Sequence, residues 1–264
     1  MLTKEQKIHS RLEQDFKYVE SLGYKAFGVF LQGSQNYQLD YEGSDIDTKC
    51  IIIPSADDVI LQKPPVSKTL VLEDNSHIDL KDIRLMWNCF EKQNINYLEI
   101  LFTDYVYVPG RYSTYWAEML RIKEEIAHID NYAAVNCIVG MILEKNSALC
   151  HPYPSLKDKI EKYGFDPKQL HHILRCREFL DRYIAGTPYK ECLIPADREY
   201  LIKVKADCPY TVEEAKNLAE TVVASAKAVK QDYINSHNRV IVEETCIKMD
   251  KLLVQILKEA WLNE

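Results

Sequence analysis

Two aspartates separated by a single residue, Asp45 and Asp47, precede the apolar run Ile51-Ile52-Ile53. If they begin a strand, their spacing of two places both carboxylates on one face. Neighbouring carboxylates repel each other unless a cation lies between them. Magnesium fits such a pair best, because it binds through one or two carboxylates together with substrate phosphates. The pair therefore predicts a magnesium site, at which manganese could substitute.

The dipeptide Gly33-Ser34 is a candidate phosphate-binding element. It follows an apolar run of strand length at residues 26–31 and opens a helix-like segment at residues 35–39. Glycine lets the backbone approach a ligand closely, and the first amides of a helix offer donors to an anion. The serine adds a hydroxyl donor. We expect this dipeptide to bind the triphosphate of a nucleotide.

A third carboxylate, Asp79, lies in a predicted strand at residues 77–80. On a strand beside that of Asp45 and Asp47 it could ligate a second metal ion and accept the proton of an attacking hydroxyl. Two ions about 3.5–4 Å apart would stabilise both oxygens of an in-line displacement. The alternative is that Asp79 shares a turn with Asp82, the expected N-cap of the next helix. With all three carboxylates in the site, the predicted reaction is nucleotidyl transfer, in which a hydroxyl attacks the α-phosphate of a nucleoside triphosphate and pyrophosphate leaves.

Alternating helix and strand patterns would position these residues. An amphipathic helix is predicted at residues 4–22 and ends at Gly23. Strands are predicted at residues 26–31, 47–53, 69–72 and 77–80, and a polar turn at residues 73–76 joins the last two. Apolar residues at helical spacing then predict a helix at residues 82–92.

After Gly110 the strand patterns nearly vanish and the 3.6-residue period predominates. Helices are predicted at residues 115–128, 132–149, 168–184, 212–230 and 241–262. This change predicts a small α/β catalytic domain at residues 1–110 and an all-helical domain at residues 111–264. We expect the helical domain to close over the nucleotide and to select the acceptor.

The composition is that of a soluble globular protein, with 47% hydrophobic and 28% charged residues. A formal charge of −7 argues against a protein that coats nucleic acid through its overall field, but it is compatible with a local basic cleft. The eight cysteines contain no CxxC pair, which favours reduced thiols in a cytoplasmic protein. No apolar run is long enough to span a bilayer, so we expect no membrane partner.

Two short motifs resemble the DNA polymerase β nucleotidyltransferase superfamily: Gly33-Ser34 and Ser44-Asp45-Ile46-Asp47, with a later isolated aspartate. Residues 94–101 (NINYLEIL), 168–175 (KQLHHILR) and 193–214 are similar to segments of its RNA-repair-pathway branch. Together these segments cover most of residues 26–215. The chain departs from the branch at Ile95, where proline is usual, and at Gln35, where a basic or small residue is usual.

The resemblance implies a magnesium-dependent nucleotidyltransferase of the α+β class, with a small mixed-sheet domain like that of polymerase β. It implies nucleotide binding by Gly33, Ser34 and Ser44. It leaves the acceptor open, and among the possible acceptors an RNA end is favoured. ATP is the default nucleotide. Lys168, His172 and Arg175 fall in a helical element of the branch, and the resemblance implies a role for them near the nucleotide or acceptor phosphates. Without the resemblance, they would be interpreted as polar residues on the surface of a helix.

Besides transfer to an RNA end, two other possibilities remain open: a different acceptor and a non-catalytic module. The same chemistry could act on a protein hydroxyl (AMPylation) or on a small molecule such as an antibiotic. An acceptor site for an amine-bearing antibiotic should be acidic, whereas residues 157–182 include the most basic run of this chain. The third possibility is a non-catalytic NTP-binding module of the antitoxin type, which would keep the fold without turnover.

Overall fold

The computed structural model describes residues 3–41, 43–74, 76–153 and 156–262. By packing, the chain divides into two units. Unit 1 comprises Met1–Asn36, Glu42–Ile129 and Ile241–Glu264, and unit 2 comprises Tyr37–Tyr41 and Asp130–Val240. These units differ from the two domains predicted from the sequence, because residues 111–129 and 241–264 pack in unit 1. Helical periodicity reveals that a helix has an apolar face, but it does not reveal which core that face covers.

Among the described residues of unit 1, five strands form one mixed sheet. They are β1 (Lys25–Leu31), β2 (Thr48–Ile53), β3 (Ser67–Val71), β4 (His77–Asp82) and β5 (Val106–Tyr107). The order is β3-β4-β2-β1-β5. Strands β2 and β4 run parallel, and the other neighbours run antiparallel. The four predicted strands are present, and the predicted α+β class is confirmed.

Helix α1 (Lys4–Ser21) covers one face of this sheet. A capping box between Thr3 and Gln6 begins the helix, as its sequence pattern allows. Its apolar positions pack against alternate strand residues in one buried cluster: Ile8, Leu12, Phe16, Val19, Ala26, Val29, Leu31, Cys50, Ile52, Ile78 and Leu80. Because strand side chains alternate between faces, Lys49, Asp79 and Lys81 project from the opposite face.

Five short helices follow in unit 1 before residue 130, counted over the described residues. They are α2 (Ala56–Ile60), α3 (Ile83–Glu91), α4 (Ile95–Leu98), α5 (Ser113–Arg121) and α6 (Lys123–Ala127). Asp82 caps α3 by accepting a hydrogen bond of 2.9 Å from the backbone amide of Arg84, which confirms its predicted capping role. The helix predicted at residues 115–128 is divided in two at Ile122, whose ψ of 14° interrupts the helical backbone.

All the regular secondary structure in the described part of unit 2 is helical. Its helices are α7 (Asn131–Ala148), α8 (Lys157–Tyr163), α9 (Pro167–Ile184), α10 (Tyr189–Leu193), α11 (Arg198–Ala206) and α12 (Val212–Ser236). Helices α7, α9 and α12 were predicted, whereas the shorter helices α8, α10 and α11 were not. No helix in the described part of the chain has both the length and the apolar character needed to cross a membrane.

The last helix, α13 (Glu243–Trp261), belongs to unit 1. The chain re-enters this unit where the amide of Val242 donates to the carbonyl of Ile129 at 2.9 Å. At the other end, the indole of Trp261 donates to the carbonyl of Pro54 at 2.9 Å, and the ammonium of Lys25 donates to the carbonyl of Ala260 at 2.7 Å. Bonds at both ends therefore fix α13 on the sheet-containing unit.

Candidate functional site

The chain turns at Gly33 as soon as it leaves β1. Gly33–Gln35 forms one 3-10 turn, and the side-chain amide of Asn36 donates back to the carbonyl of Leu31 at 2.7 Å. Gly33 has a φ of +79°, and a Cβ at this position would meet no atom within 4 Å. The left-handed backbone therefore requires glycine here, and the space beside it is open.

The helix-like segment predicted at residues 35–39 is this shorter turn, which begins at Gly33. A single 3-10 turn has too few aligned peptide units for a helix dipole. Contacts to a phosphate here would come instead from individual amides and from the hydroxyl of the half-buried Ser34.

Asp45 and Asp47 lie in the irregular segment immediately before β2, which begins at Thr48. Asp45 is exposed, and Asp47 and Ser44 are half-buried. The strand begins at Thr48 and not at Asp47 as predicted, so neither aspartate lies in it, and the argument that a period of two aligns both carboxylates does not apply to the pair. The irregular backbone leaves the pair at the solvent edge of the sheet.

Backbone pairing places Asp47 beside the Gly33 turn. The amide of Gln32 donates to the carbonyl of Asp47 at 3.1 Å, directly before Gly33 in the chain. The side-chain amide of Gln32 donates to the carbonyl of Thr48 at 3.2 Å, and Leu31 pairs with Thr48 in the ladder. The predicted phosphate-binding turn and the predicted metal-binding pair therefore meet at the same end of the β1–β2 ladder.

The carboxylate of Asp47 also contacts the first residue of β4. Its Oδ1 accepts a hydrogen bond of 3.2 Å from the amide of His77 and lies 3.3 Å from the ring Nδ1 of the same residue. In the parallel register Thr48 pairs with Ile78 and Lys49 with Asp79. Asp79 is therefore on β4, the strand adjacent to β2, which Asp47 directly precedes.

Asp79 has two lysine partners that the sequence analysis did not include in the site. Its Oδ2 lies 2.8 Å from the Nζ of Lys49, and its Oδ1 lies 3.1 Å from the Nζ of Lys81. The side chain of Lys49 is only 3% exposed and lies over the ring of Tyr97, 4.3 Å from its centroid. The lysine in the otherwise apolar strand Thr48–Ile53 is the sequence signal that could have revealed this arrangement.

The donor set fits magnesium by its chemistry but only in part by its arrangement. Carboxylate oxygens are the ligands that magnesium prefers, and Asp45 and Asp47 together with substrate phosphates would suffice to hold one ion. Over the described residues, however, no three His, Cys, Asp or Glu side chains form a group that could hold a metal ion. Both oxygens of Asp79 contact ammonium groups instead. The residues therefore fit one metal ion at Asp45 and Asp47, and they do not fit a completed three-carboxylate site.

A buried polar network supports the start of β2 from the other face of the sheet. The hydroxyl of Thr48 donates to Oδ2 of Asp15 at 2.6 Å, and the Nε of Arg11 donates to Oδ1 at 2.7 Å. Burial raises the pKa of Asp15 above its usual value, while the bonds from Thr48 and Arg11 oppose that shift. This network ties helix α1 to the residue that follows Asp47.

The three remaining predicted residues, Lys168, His172 and Arg175, lie on helix α9 in unit 2. Lys168 is exposed and His172 is half-buried. Burial, together with the charge of Arg175, holds the pKa of His172 well below its usual range, so that at neutral pH its ring is uncharged. Contact with a phosphate through His172 would therefore use a neutral ring nitrogen.

Arg175 is buried and contacts an aromatic ring in its own unit. Its guanidinium carbon lies 4.1 Å from the centroid of the Tyr37 ring, and each residue is 4% exposed. Tyr37 belongs to the short segment Tyr37–Tyr41, which packs with unit 2 although it follows the Gly33 turn in the chain. The fully buried Leu39 belongs to the same segment. The contact with the Tyr37 ring thus gives the guanidinium of Arg175 a structural role inside unit 2.

Comparison with known proteins adds little to this geometry. No protein-family model matches the chain, and no curated protein matches it. Among solved structures, the chain is similar to a nucleotidyltransferase-like protein from Exiguobacterium sibiricum, at 13% identity and a TM-score of 0.30. The similarity covers 83% of this chain and 74% of that one. A similarity this distant does not establish a family or an activity for the chain.

Proposed function

We propose that this chain is a magnesium-dependent nucleotidyltransferase, which transfers a nucleoside monophosphate from a nucleoside triphosphate to a hydroxyl acceptor. One observation carries the proposal: the hydrogen bond from Gln32 to Asp47 joins the Gly33-Ser34 turn to the acidic segment at one end of the sheet. A left-handed glycine turn beside two solvent-accessible carboxylates suits a ligand that brings both phosphates and a metal ion.

Each residue has a separate task in this proposal. The amides of the turn and the hydroxyl of Ser34 would bind the triphosphate, with Ser44 near it. Asp45 and Asp47 would hold magnesium, and the amide of His77 keeps the Asp47 carboxylate oriented. Magnesium, when bound, would neutralise charge that develops on the phosphate oxygens.

The reaction forms a bond between the acceptor oxygen and the α-phosphorus and breaks the bond from that phosphorus to the bridging oxygen. Pyrophosphate leaves with the electron pair of the broken bond. The hydroxyl proton passes to a general base, and Asp79 is the candidate because it lies on β4, the strand adjacent to β2, which follows Asp47. Both oxygens of Asp79 contact lysine ammonium groups, so this role requires one oxygen to leave its lysine before it accepts the proton.

The acceptor that we propose is an RNA end, and the nucleotide is ATP by default. Support for RNA comes from the resemblance of residues 94–101 and 168–175 to the RNA-repair-pathway branch. A protein hydroxyl or a small molecule would use the same metal chemistry with a different acceptor.

Label transfer tests both the chemistry and the acceptor. Each of the four triphosphates, labelled at the α-phosphate, is incubated with the protein, magnesium and a cell extract that is then split into RNA, protein and small-molecule fractions. We expect label in RNA. Label in protein or small molecules would retain the reaction and replace the acceptor.

Asp47→Ala is the decisive variant in this assay. We expect it to lower transfer more than about 100-fold, because changes at residues that merely support metal ligands already reduce affinity or activity about 10–100-fold. Asp47 is half-buried and outside the apolar cluster, so the fold should persist. Asp57→Ala, at an exposed aspartate of α2, is the matched control and should retain full activity. Equal activity in the two variants would refute the proposed site.

The ion pairs of Asp79 favour one second candidate, a non-catalytic NTP-binding module. A carboxylate whose two oxygens contact lysines is less available for catalysis. Such a module would be stabilised thermally by a nucleoside triphosphate with magnesium, yet no fraction of the extract would acquire label.

A further inference from the structure

Lys49 is a buried cation that contacts Asp79 of the candidate site. Its side chain is 3% exposed, on the face of β2 opposite the cluster covered by α1. An ammonium group removed from water is strongly destabilising unless a negative charge and favourable contacts compensate it. Two contacts do so here: the carboxylate of Asp79 at 2.8 Å and the face of the Tyr97 ring at 4.3 Å.

The surroundings of Lys49 would also accommodate an apolar side chain at position 49. Ile51 and Ile53 follow at alternate positions on the same face of β2, and both are buried. An isoleucine or methionine at position 49 would avoid the desolvation of a charge. The presence of lysine therefore points to the charge itself, directed at Asp79.

The charges around the site explain what that cation does. The three carboxylates of Asp45, Asp47 and Asp79 lie on one segment and one adjacent strand. Lys49 and Lys81 contribute two positive charges, and both reach Asp79. The two ammonium groups contact both oxygens of the carboxylate that would otherwise complete the acidic group.

We propose that Lys49 competes with divalent metal ions for Asp79, so that Asp79 becomes a metal ligand only when the ammonium of Lys49 leaves it. Lys49 is thus a positioning residue that acts through Asp79 and sets the metal affinity of the site. This inference rests on the proposed function for the location of the metal at Asp45 and Asp47. It also accounts for the lack of a three-carboxylate group among the described residues.

Lys81 is the natural comparison for Lys49. Its side chain is more exposed, at 15%, and its Nζ also donates to the hydroxyl of Ser67 at 2.7 Å on the edge strand β3. Solvent and Ser67 share its charge, so its hold on Asp79 is weaker. Removal of Lys81 should therefore release Asp79 less than removal of Lys49.

Manganese binding without nucleotide tests the inference. Metal-stripped protein is titrated with Mn²⁺, and free Mn²⁺ is counted by electron paramagnetic resonance. Lys49→Met keeps the volume and removes the charge, and we expect it to bind Mn²⁺ about tenfold more tightly or better, which corresponds to about 1.4 kcal/mol. Lys81→Met should give a smaller gain. Lys49→Gln repeats the test with a polar side chain if the methionine variant does not fold.

The double variant Lys49→Met/Asp79→Asn shows whether the gain acts through Asp79. We expect the gain to vanish in the Asp79→Asn background. Unchanged or weaker Mn²⁺ binding in both position-49 variants would overturn the inference, and so would a gain that persists without Asp79. Absence of Mn²⁺ binding in wild type and variants alike would also overturn it.

Measuring label transfer in the same variants tests the proposed function separately from the Mn²⁺ affinity. A gain in Mn²⁺ affinity without any transfer would keep the role of Lys49 and refute the enzyme. Transfer that depends on Asp47, with no gain in the Lys49 variants, would keep the enzyme and refute the role of Lys49.

Discussion

Replacing Thr48 by valine would remove one hydroxyl from the network that ties helix α1 to the strand after Asp47. That hydroxyl donates to Asp15 at 2.6 Å, and the two residues are 0% and 2% exposed. Valine has nearly the shape of threonine, so the substitution leaves no cavity. The experiment therefore isolates a hydrogen bond to a buried carboxylate.

The expected loss follows from two opposing terms. Hydrogen bonds to charged groups contribute about 1.5–3 kcal/mol to stability. The methyl group that replaces the hydroxyl gains about 0.8 kcal/mol by its burial beside the apolar cluster. Asp15 retains its bond from Arg11, so the carboxylate is not left without a donor. We expect the free energy of unfolding of unit 1 to fall by about 1.5 kcal/mol, the middle of the net range.

Urea unfolding followed by tryptophan fluorescence measures this loss in the correct unit, because all three tryptophans (Trp87, Trp116 and Trp261) lie in unit 1. Thr69→Val, at an exposed position of the edge strand β3, is the matched control and should change stability by less than about 0.5 kcal/mol.

The effect of Thr48→Val should also depend on pH. Burial raises the pKa of Asp15 above 3.8, and the bond from Thr48 favours its charged form. The destabilisation should therefore be full at neutral pH and shrink as the pH falls through the folded-state pKa of Asp15, where the carboxyl becomes neutral. An effect equal to that of Thr69→Val, or one independent of pH, would refute the role of this bond.

Two further predictions concern unit 2 and are measured by urea unfolding with far-ultraviolet circular dichroism. Arg175→Met and Tyr37→Leu should be coupled by about 2 kcal/mol in a double-mutant cycle, because the desolvated guanidinium lies over the ring; additive effects would contradict the stack. Burial lowers the pKa of His171 to about 4, so stability is full above pH 6.5 and should fall as the pH drops from 6.5 towards 4, by about 3 kcal/mol from this residue. His171→Gln should flatten that dependence, and an unchanged slope would show that His171 is not its source.

The fold of the sheet-containing unit was predictable to the extent that it depends on local patterns. The strand at residues 26–31 and the helix at residues 4–22 appear within one residue of their predicted ends, because a continuous apolar run and helix capping are encoded locally. The break at Ile122 was missed, since no proline or glycine marks it. The packing of α13 on the unit of the sheet depends on contacts far apart in sequence, such as that of Trp261 with Pro54.

The candidate site was predictable in its residue types more than in its side-chain contacts. Gly33 has the left-handed backbone that favours glycine, and Asp79 is on the strand adjacent to β2, which Asp47 directly precedes. The contact of Lys49 with Asp79 depends on a parallel register between β2 and β4, which no local pattern specifies. The stack of Arg175 on Tyr37 joins a helix to a segment far away in the sequence.

The most direct test of metal-dependent nucleotidyl transfer at Asp47 uses purified protein and two forms of ATP, one labelled at the α-phosphate and one at the γ-phosphate. With magnesium and an RNA acceptor, we expect the α-label to enter the acceptor while an equal amount of γ-label appears as pyrophosphate. Asp47→Asn, which keeps the side-chain volume and removes the charge, should abolish both signals. Release of the γ-label as inorganic phosphate, or equal transfer by wild type and Asp47→Asn, would contradict the account.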